Sequence, residues 1–166
     1  MSEEKRIDVK NKSIRIAITG ITAALYIALG YIFAPISFLG IQFRVAELIV
    51  GMCIIFPVAG LIGNVIGVFV VNMVSPLGIL DVIIAPLVNI PALALIGLLR
   101  NEKYLNYVGG ILYAMIISLY VAWLLWFMIG LPFWIMFIQV FIAEMILATL
   151  GISLFEIVKK QLNLGG

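Results

Sequence analysis

The sequence contains no histidine and only one cysteine, Cys53. The first absence removes a serine–histidine nucleophile pair, an H-E-x-x-H zinc site and a haem-ligating histidine. The second removes any internal disulfide and any two-thiol relay, leaving Cys53 as a small packing residue. No G-x-x-x-x-G-K-[ST] stretch occurs, so the chain cannot bind ATP through a P-loop. Charge is scarce as well. Ten lysines and arginines and eight aspartates and glutamates make up 11% of the 166 residues, where a soluble domain has roughly a quarter. These gaps exclude the common enzyme chemistries, and no catalytic residue, resident metal, cofactor or nucleic-acid partner is expected.

What the chain has is apolar sequence: 65% of residues are hydrophobic and the mean hydropathy is +1.28. That is the composition of a multi-pass cell-membrane protein in contact with lipid, and the length suits a single bundle. A span needs about 20 predominantly apolar residues, and residues 14–34 qualify. The start does not read as a signal peptide, because its charged segment is long and the apolar run after it has no small-x-small cleavage site. Residues 45–74 carry no charge except Glu47, and Pro57 stands near their middle. They read as two short or tilted helices, 45–57 and 58–74. "SPLG" at 75–78 fits a type I turn, and Asp81 stands where an N-cap would. Three more spans are expected at 82–99, 107–128 and 133–158.

The expected fold is therefore an all-α transmembrane bundle of six helices over residues 14–158. A charged cytoplasmic segment, 1–13, precedes it and a short cytoplasmic tail, 159–166, follows. Orientation comes from lysine and arginine in the short loops. Lys5, Arg6, Lys10, Lys12, Arg15, Arg100, Lys103, Lys159 and Lys160 fall on one side of a six-span chain, and Arg44 alone falls on the other. Both termini are thus expected in the cytoplasm.

The oddest stretch is "GIQFRVAEL", residues 40–48, which places Gln42, Arg44 and Glu47 between two apolar runs. Arg44 and Glu47, three apart, share a helix face, either as a local ion pair or as a clamp on a ligand. With Asn72 and Asp81 they gather at the outer face, although Asp81 is equally a plain cap. Asn89 lies between Pro86 and Pro91. Each proline frees an upstream carbonyl, as at a cavity or at a simple kink. Glu144 falls about 16 Å into the last span, as the floor of a site or as one end of a structural hydrogen bond; Gln139 is a weaker case of the same kind. An ionisable group inside a span is a functional-site hypothesis by default. Trp123, Trp126 and Trp134 bracket the outer turn as an interfacial belt, with Trp134 also placed to stack on a flat ligand. Asn64, Gly63 and Gly67 read as helix-packing groups. Gly20, Ala24 and Ala28 form a small-residue stripe that packs inside the bundle or docks another membrane protein.

"GIQFRVAEL", then "NMVSPLGILDV", then "GLPFW" followed by "AEMILATLG", resemble the QueT family, in order and over most of residues 14–158. These are substrate-binding S components of energy-coupling factor (ECF) transporters, proposed to import queuosine precursors. The resemblance implies a six-helix bundle that binds its solute from outside. It also implies a transmembrane coupling subunit and two cytoplasmic ATPases as partners, which would supply the missing ATP site. Carried over residue by residue, it implies a pocket of Gln42, Arg44, Glu47, Asn72, Asp81, Trp134 and Glu144, to which the prolines add Asn89. It makes Gly20, Ala24 and Ala28 the docking stripe for the coupling subunit. Glu47 or Glu144 would accept the paired N–H groups of a 7-deazaguanine, Gln42 or Arg44 would donate to its carbonyl, Trp134 or Phe38 would stack on it, and Asp81 would suit an aminomethyl cation. "YAMIISLYVAWLL", in the fifth span, offers neither amide nor carboxylate. Three alternatives stay open: an S component for another vitamin-like solute, a stand-alone carrier, and a structural membrane protein whose polar groups only seal the bundle.

Overall fold

A computed structural model describes residues 11–38 and 42–162. Lys5, Arg6 and Lys10, the first two residues of "GIQFRVAEL", and the end of the expected tail lie outside the described residues. Among those described, all regular structure is helical. In chain order it comprises α1 (Lys12–Ile32), α2 (Ala34–Phe38), a 3₁₀ segment (Val45–Gly51), α3 (Met52–Ile55), α4 (Pro57–Asn72), α5 (Ile79–Leu98), α6 (Lys103–Ile129) and α7 (Phe133–Gln161). Four of these, α1, α5, α6 and α7, are long and apolar enough to cross a membrane.

Local chemistry sets most of the boundaries. The Asn11 side chain accepts the Ser13 N–H at 2.9 Å and caps α1. Pro57 opens α4, where its missing N–H costs nothing. Gly130 ends α6 in the left-handed region, φ 71°. The turn at 75–78 closes with the Gly78 N–H on the Ser75 carbonyl at 3.2 Å, as its residues predict. Two expectations are corrected. Asp81 is not an N-cap: α5 begins two residues earlier, behind Gly78, and Asp81 lies within its first turn. The segment 45–57 is not an ordinary helix but seven residues of 3₁₀ followed by one α turn. At about 2.0 Å per 3₁₀ residue and 1.5 Å per α residue, it extends about 20 Å.

Packing fixes the relative directions. α1 and α4 run parallel, because Gly63 faces Thr22, Gly67 faces Tyr26, and the Tyr31 hydroxyl donates to the Val70 carbonyl at 3.1 Å. The G-x-x-x-G face of α4 is thus inside the bundle, as expected. A side chain at Gly67 would place its Cβ 2.7 Å from Tyr26. Asn64 ties α4 to the 3₁₀ segment by donating to the Ile49 and Gly60 carbonyls. α6 and α7 are antiparallel, joined by Asn106 to Glu156 at 2.9 Å and Tyr107 to Ser153 at 3.0 Å. Gly97 of α5 meets Pro57, and Gly109 of α6 meets Ile96. The starts of α1, α4 and α6 and the ends of α5 and α7 therefore share one end of the bundle, the basic end. Arg44, the 75–78 turn and Gly130 share the opposite end. Between them lies a core that includes Val50, Leu93, Ile96, Tyr113, Leu124 and Ile152, all fully buried.

Candidate solute-binding site

In a protein this apolar, the buried polar side chains are conspicuous, and most of them converge. Glu47, on the 3₁₀ segment, is 1% exposed. The Tyr26 hydroxyl of α1 donates to its Oε1 at 2.6 Å, and the Tyr113 hydroxyl of α6 makes a very short bond to its Oε2. Tyr113 Oη also lies 3.0 Å from Asn89 Oδ1, on α5. One phenol has one proton and here faces two acceptors. The closer Glu47 takes it, so the Asn89 carbonyl keeps accepting capacity. Asn89 Nδ2 donates to the Ala85 carbonyl at 2.9 Å, which fixes the amide's orientation.

A second group lies toward the 75–78 turn. Ser75 donates to Asp81 Oδ2 at 2.6 Å and Tyr120 donates to Oδ1 at 3.0 Å. Asn72 donates to the Asp81 carbonyl at 3.2 Å. Arg44 Nη2 lies 3.9 Å from Asp81 Oδ2. Arg44 does not form the expected pair with Glu47; it precedes the 3₁₀ segment and reaches across to α5. Its guanidinium stands 5.8 Å above the Phe38 ring. Arg44 is close enough to Glu47, Tyr26 and Glu144 to interact electrostatically with each, and so joins the two groups into one polar cluster, the candidate solute chamber.

Three buried polar side chains in or next to that cluster are incompletely satisfied. Gln42 Oε1, Arg44 Nη2 and both carboxyl oxygens of Glu144 are buried without a hydrogen-bond partner among the described residues. Gln42 also holds a left-handed backbone, φ 54°, which costs a non-glycine residue about 1–2 kcal/mol. Native structures rarely bury polar atoms unsatisfied, and sparsely populated backbone conformations collect at binding sites. Glu47, Asp81 and Glu144 do not converge as metal ligands; among the described residues no three His, Cys, Asp or Glu do. The arrangement offers oriented acceptors on one side and a guanidinium on the other, as suits a polar organic molecule.

Residues 16–160 match the family model described as QueT transporter. The chain belongs to the QueT transporter family. It is accordingly a multi-pass membrane protein of a transporter family, and not an enzyme. No curated protein and no solved structure matches it.

Within this QueT-family chain, six of the eight site candidates come together: Arg44, Glu47, Asn72, Asp81, Asn89 and Glu144; Gln42 is buried two residues before Arg44. Trp134 does not. It is 69% exposed on the outside of α7, edge-on to Phe133 and Phe137. Trp123 and Trp126 also face outward, so the three tryptophans form a peripheral belt. Phe38 lies beneath the Arg44 guanidinium, with its ring centroid 5.8 Å away. Sequence reasoning missed Tyr26, Tyr113, Tyr120 and Ser75. A signal was there: Tyr113 and Tyr120 are seven apart, on one face of α6, inside the very stretch that has no amide or carboxylate. An open groove of about 520 Å³ lies elsewhere, between α1 and α4 at the basic end, lined by Lys12, Arg15, Ile16, Thr19 and Ile62 among others.

Proposed function

We propose that the chain is the membrane-embedded substrate-binding (S) component of an energy-coupling factor importer. In this reading it captures a queuosine precursor, a 7-deazaguanine-type base, from outside the cell. The observation that carries it is the buried polar cluster itself, built from six elements and holding three carboxyls, one guanidinium and atoms left without partners. Burying such groups costs several kcal/mol each, which a structural seal does not require and a solute site does. A 7-deazaguanine presents a ring N–H beside an amino group. Glu47, braced by two phenols that leave each oxygen a second lone pair, accepts both at once. Arg44 Nη2 donates to the base carbonyl, and Phe38 supplies an aromatic face.

The basic end is cytoplasmic by the distribution of lysine and arginine. The 3₁₀–α3 segment and α4 are each taken as one short crossing, which makes six and returns both termini to the cytoplasm. The chamber then opens outward. The chain has no ATP site of its own, and the proposed energy source is a transmembrane coupling subunit with two cytoplasmic ATPases. Gly20, Ala24 and Ala28 are all exposed on one side of α1. They continue from the basic groove and suit close approach of a partner helix.

The test is calorimetry on purified protein with a panel of 7-deazaguanine bases, together with mass spectrometry of any small molecule carried through purification. Tight binding of at least one base supports the assignment. A different co-purified solute, with no base bound, transfers the same chamber to another vitamin-like ligand and ends the deazaguanine reading.

A further inference from the structure

Three carboxyls and one guanidinium are buried in the chamber: Glu47, Asp81 and Glu144 against Arg44. Their partners are unequally shared. Asp81 has Ser75, Tyr120 and the guanidinium at 3.9 Å. Glu47 has Tyr26 and Tyr113. Glu144, on α7, is 0% exposed and has nothing: neither oxygen meets a donor among the described residues.

Its surroundings locate it on the chamber rather than elsewhere in the core. Glu144 interacts electrostatically with Glu47, Arg44, Tyr26 and Tyr113, side chains from three other parts of the chain. Of these, Arg44 is already directed at Asp81, and both phenols spend their protons on Glu47. Arg44 Nη2 has no hydrogen-bond partner but faces Asp81 at 3.9 Å, so none of these donors is placed on Glu144. What the cluster lacks is a donor of N–H groups on the Glu144 side.

We propose that Glu144 is the counter-charge for a protonated amine on the solute, so that the chain selects cationic solutes over neutral ones of the same shape. The proposal rests on the reading of the chamber as a deazaguanine site and adds a second contact to it. Glu47 takes the N–H edge of the base, and Glu144 takes an ammonium on its substituent. Asp81, which the family resemblance suggested for this role, is already bound by Ser75 and Tyr120. A charged amine in a water-excluded site needs a carboxylate to leave water, and a carboxylate left without it stays unpaired. Discrimination of this kind is steep, because the wrong ligand strands a buried charge.

The experiment compares two probes of nearly equal shape, 7-aminomethyl-7-deazaguanine and the neutral 7-ethyl-7-deazaguanine, by calorimetry on wild type and on Glu144→Gln. Wild type should bind the cationic base at least tenfold more tightly. Glu144→Gln should bind both alike, close to the wild-type affinity for the neutral base. Equal binding of the two by wild type, or a preference that survives Glu144→Gln, overturns the proposal and leaves the solute site intact. Binding of neither probe by wild type overturns the site reading and this proposal with it. The wild-type comparison needs no variant, so a poorly folding Glu144→Gln does not blunt the test.

Discussion

Glu47→Gln separates a solute site from a structural seal, because the hydrogen-bond geometry predicts opposite responses for affinity and for stability. The substitution keeps shape and replaces one oxygen by an NH₂ group. With that group on the Tyr113 side, it donates to the phenol oxygen. Tyr113 then turns its own proton to Asn89 Oδ1, which is already 3.0 Å away. Tyr26 continues to donate to the remaining oxygen, 2.6 Å away. Every internal partner is kept, and a buried charge is removed, so the melting temperature in detergent should hold or rise slightly. A solute's paired N–H groups fare differently. One of them now meets a donor, and the charge that strengthened the other is gone. Charge-assisted hydrogen bonds contribute about 1.5–3 kcal/mol each, so the loss is about 3 kcal/mol, roughly 150-fold in Kd. Calorimetry with a 7-deazaguanine base that binds the wild type reads the affinity, and thermal unfolding of the unliganded protein reads the stability. An affinity within threefold of wild type would refute the assignment of Glu47 to the N–H edge. An unchanged affinity with a fall in melting temperature would make the cluster a seal.

Other positions give sharper local tests. Gly67→Val should lower stability by about 1–3 kcal/mol and weaken solute binding as well, because the added Cβ meets Tyr26 at 2.7 Å and Tyr26 positions Glu47; thermal unfolding and calorimetry on one sample check both. Tyr107→Phe removes a phenol of comparable kind, bonded to Ser153 at 3.0 Å near the basic end, and should cost about 0.5–1.5 kcal/mol in thermal unfolding with no change in affinity. Ala24→Trp, on the exposed stripe of α1, should block co-purification with the coupling subunit and spare solute affinity; lost affinity with normal assembly would reverse that division of labour.

The long helices were legible because about 20 apolar residues and a basic-loop bias are physical requirements of spanning. The 75–78 turn and the G-x-x-x-G face of α4 were legible for the same kind of reason: each needs particular residues at particular spacings. The 3₁₀ segment was not. Its "VAELIVG" has the composition of any buried helix, and what distinguishes it is a crossing with α7, where a Cβ on Gly151 would lie 2.9 Å from the Leu48 carbonyl carbon. That close approach is a tertiary fact. Trp134 was misplaced for a reason the helix wheel contains. Ten residues at about 100° each leave it about 80° from Glu144, so the two do not share a face of α7. Arg44 was paired with its sequence neighbour Glu47 on the assumption of a regular helix, which begins only after it.

The most instructive omission is the tyrosines, because their chemistry explains how the chamber can hold carboxylates at all. A carboxylate paired with arginine is satisfied and electrically neutralised, and has little left to offer a ligand. A phenol donates one proton and brings no charge. Glu47, bonded by Tyr26 and Tyr113, is therefore held in place by donors that bring no charge of their own. The only buried guanidinium among the described residues is directed at Asp81, toward the 75–78 turn. The chamber is thus graded: a matched pair near the turn, a phenol-braced acceptor beneath it, and an unmatched carboxyl on α7. Counting polar residues along a sequence treats these three acids as equivalent. What sets them apart is which donors the fold brings to each, and tyrosine, scored as an apolar aromatic in a span, is the residue that decides it.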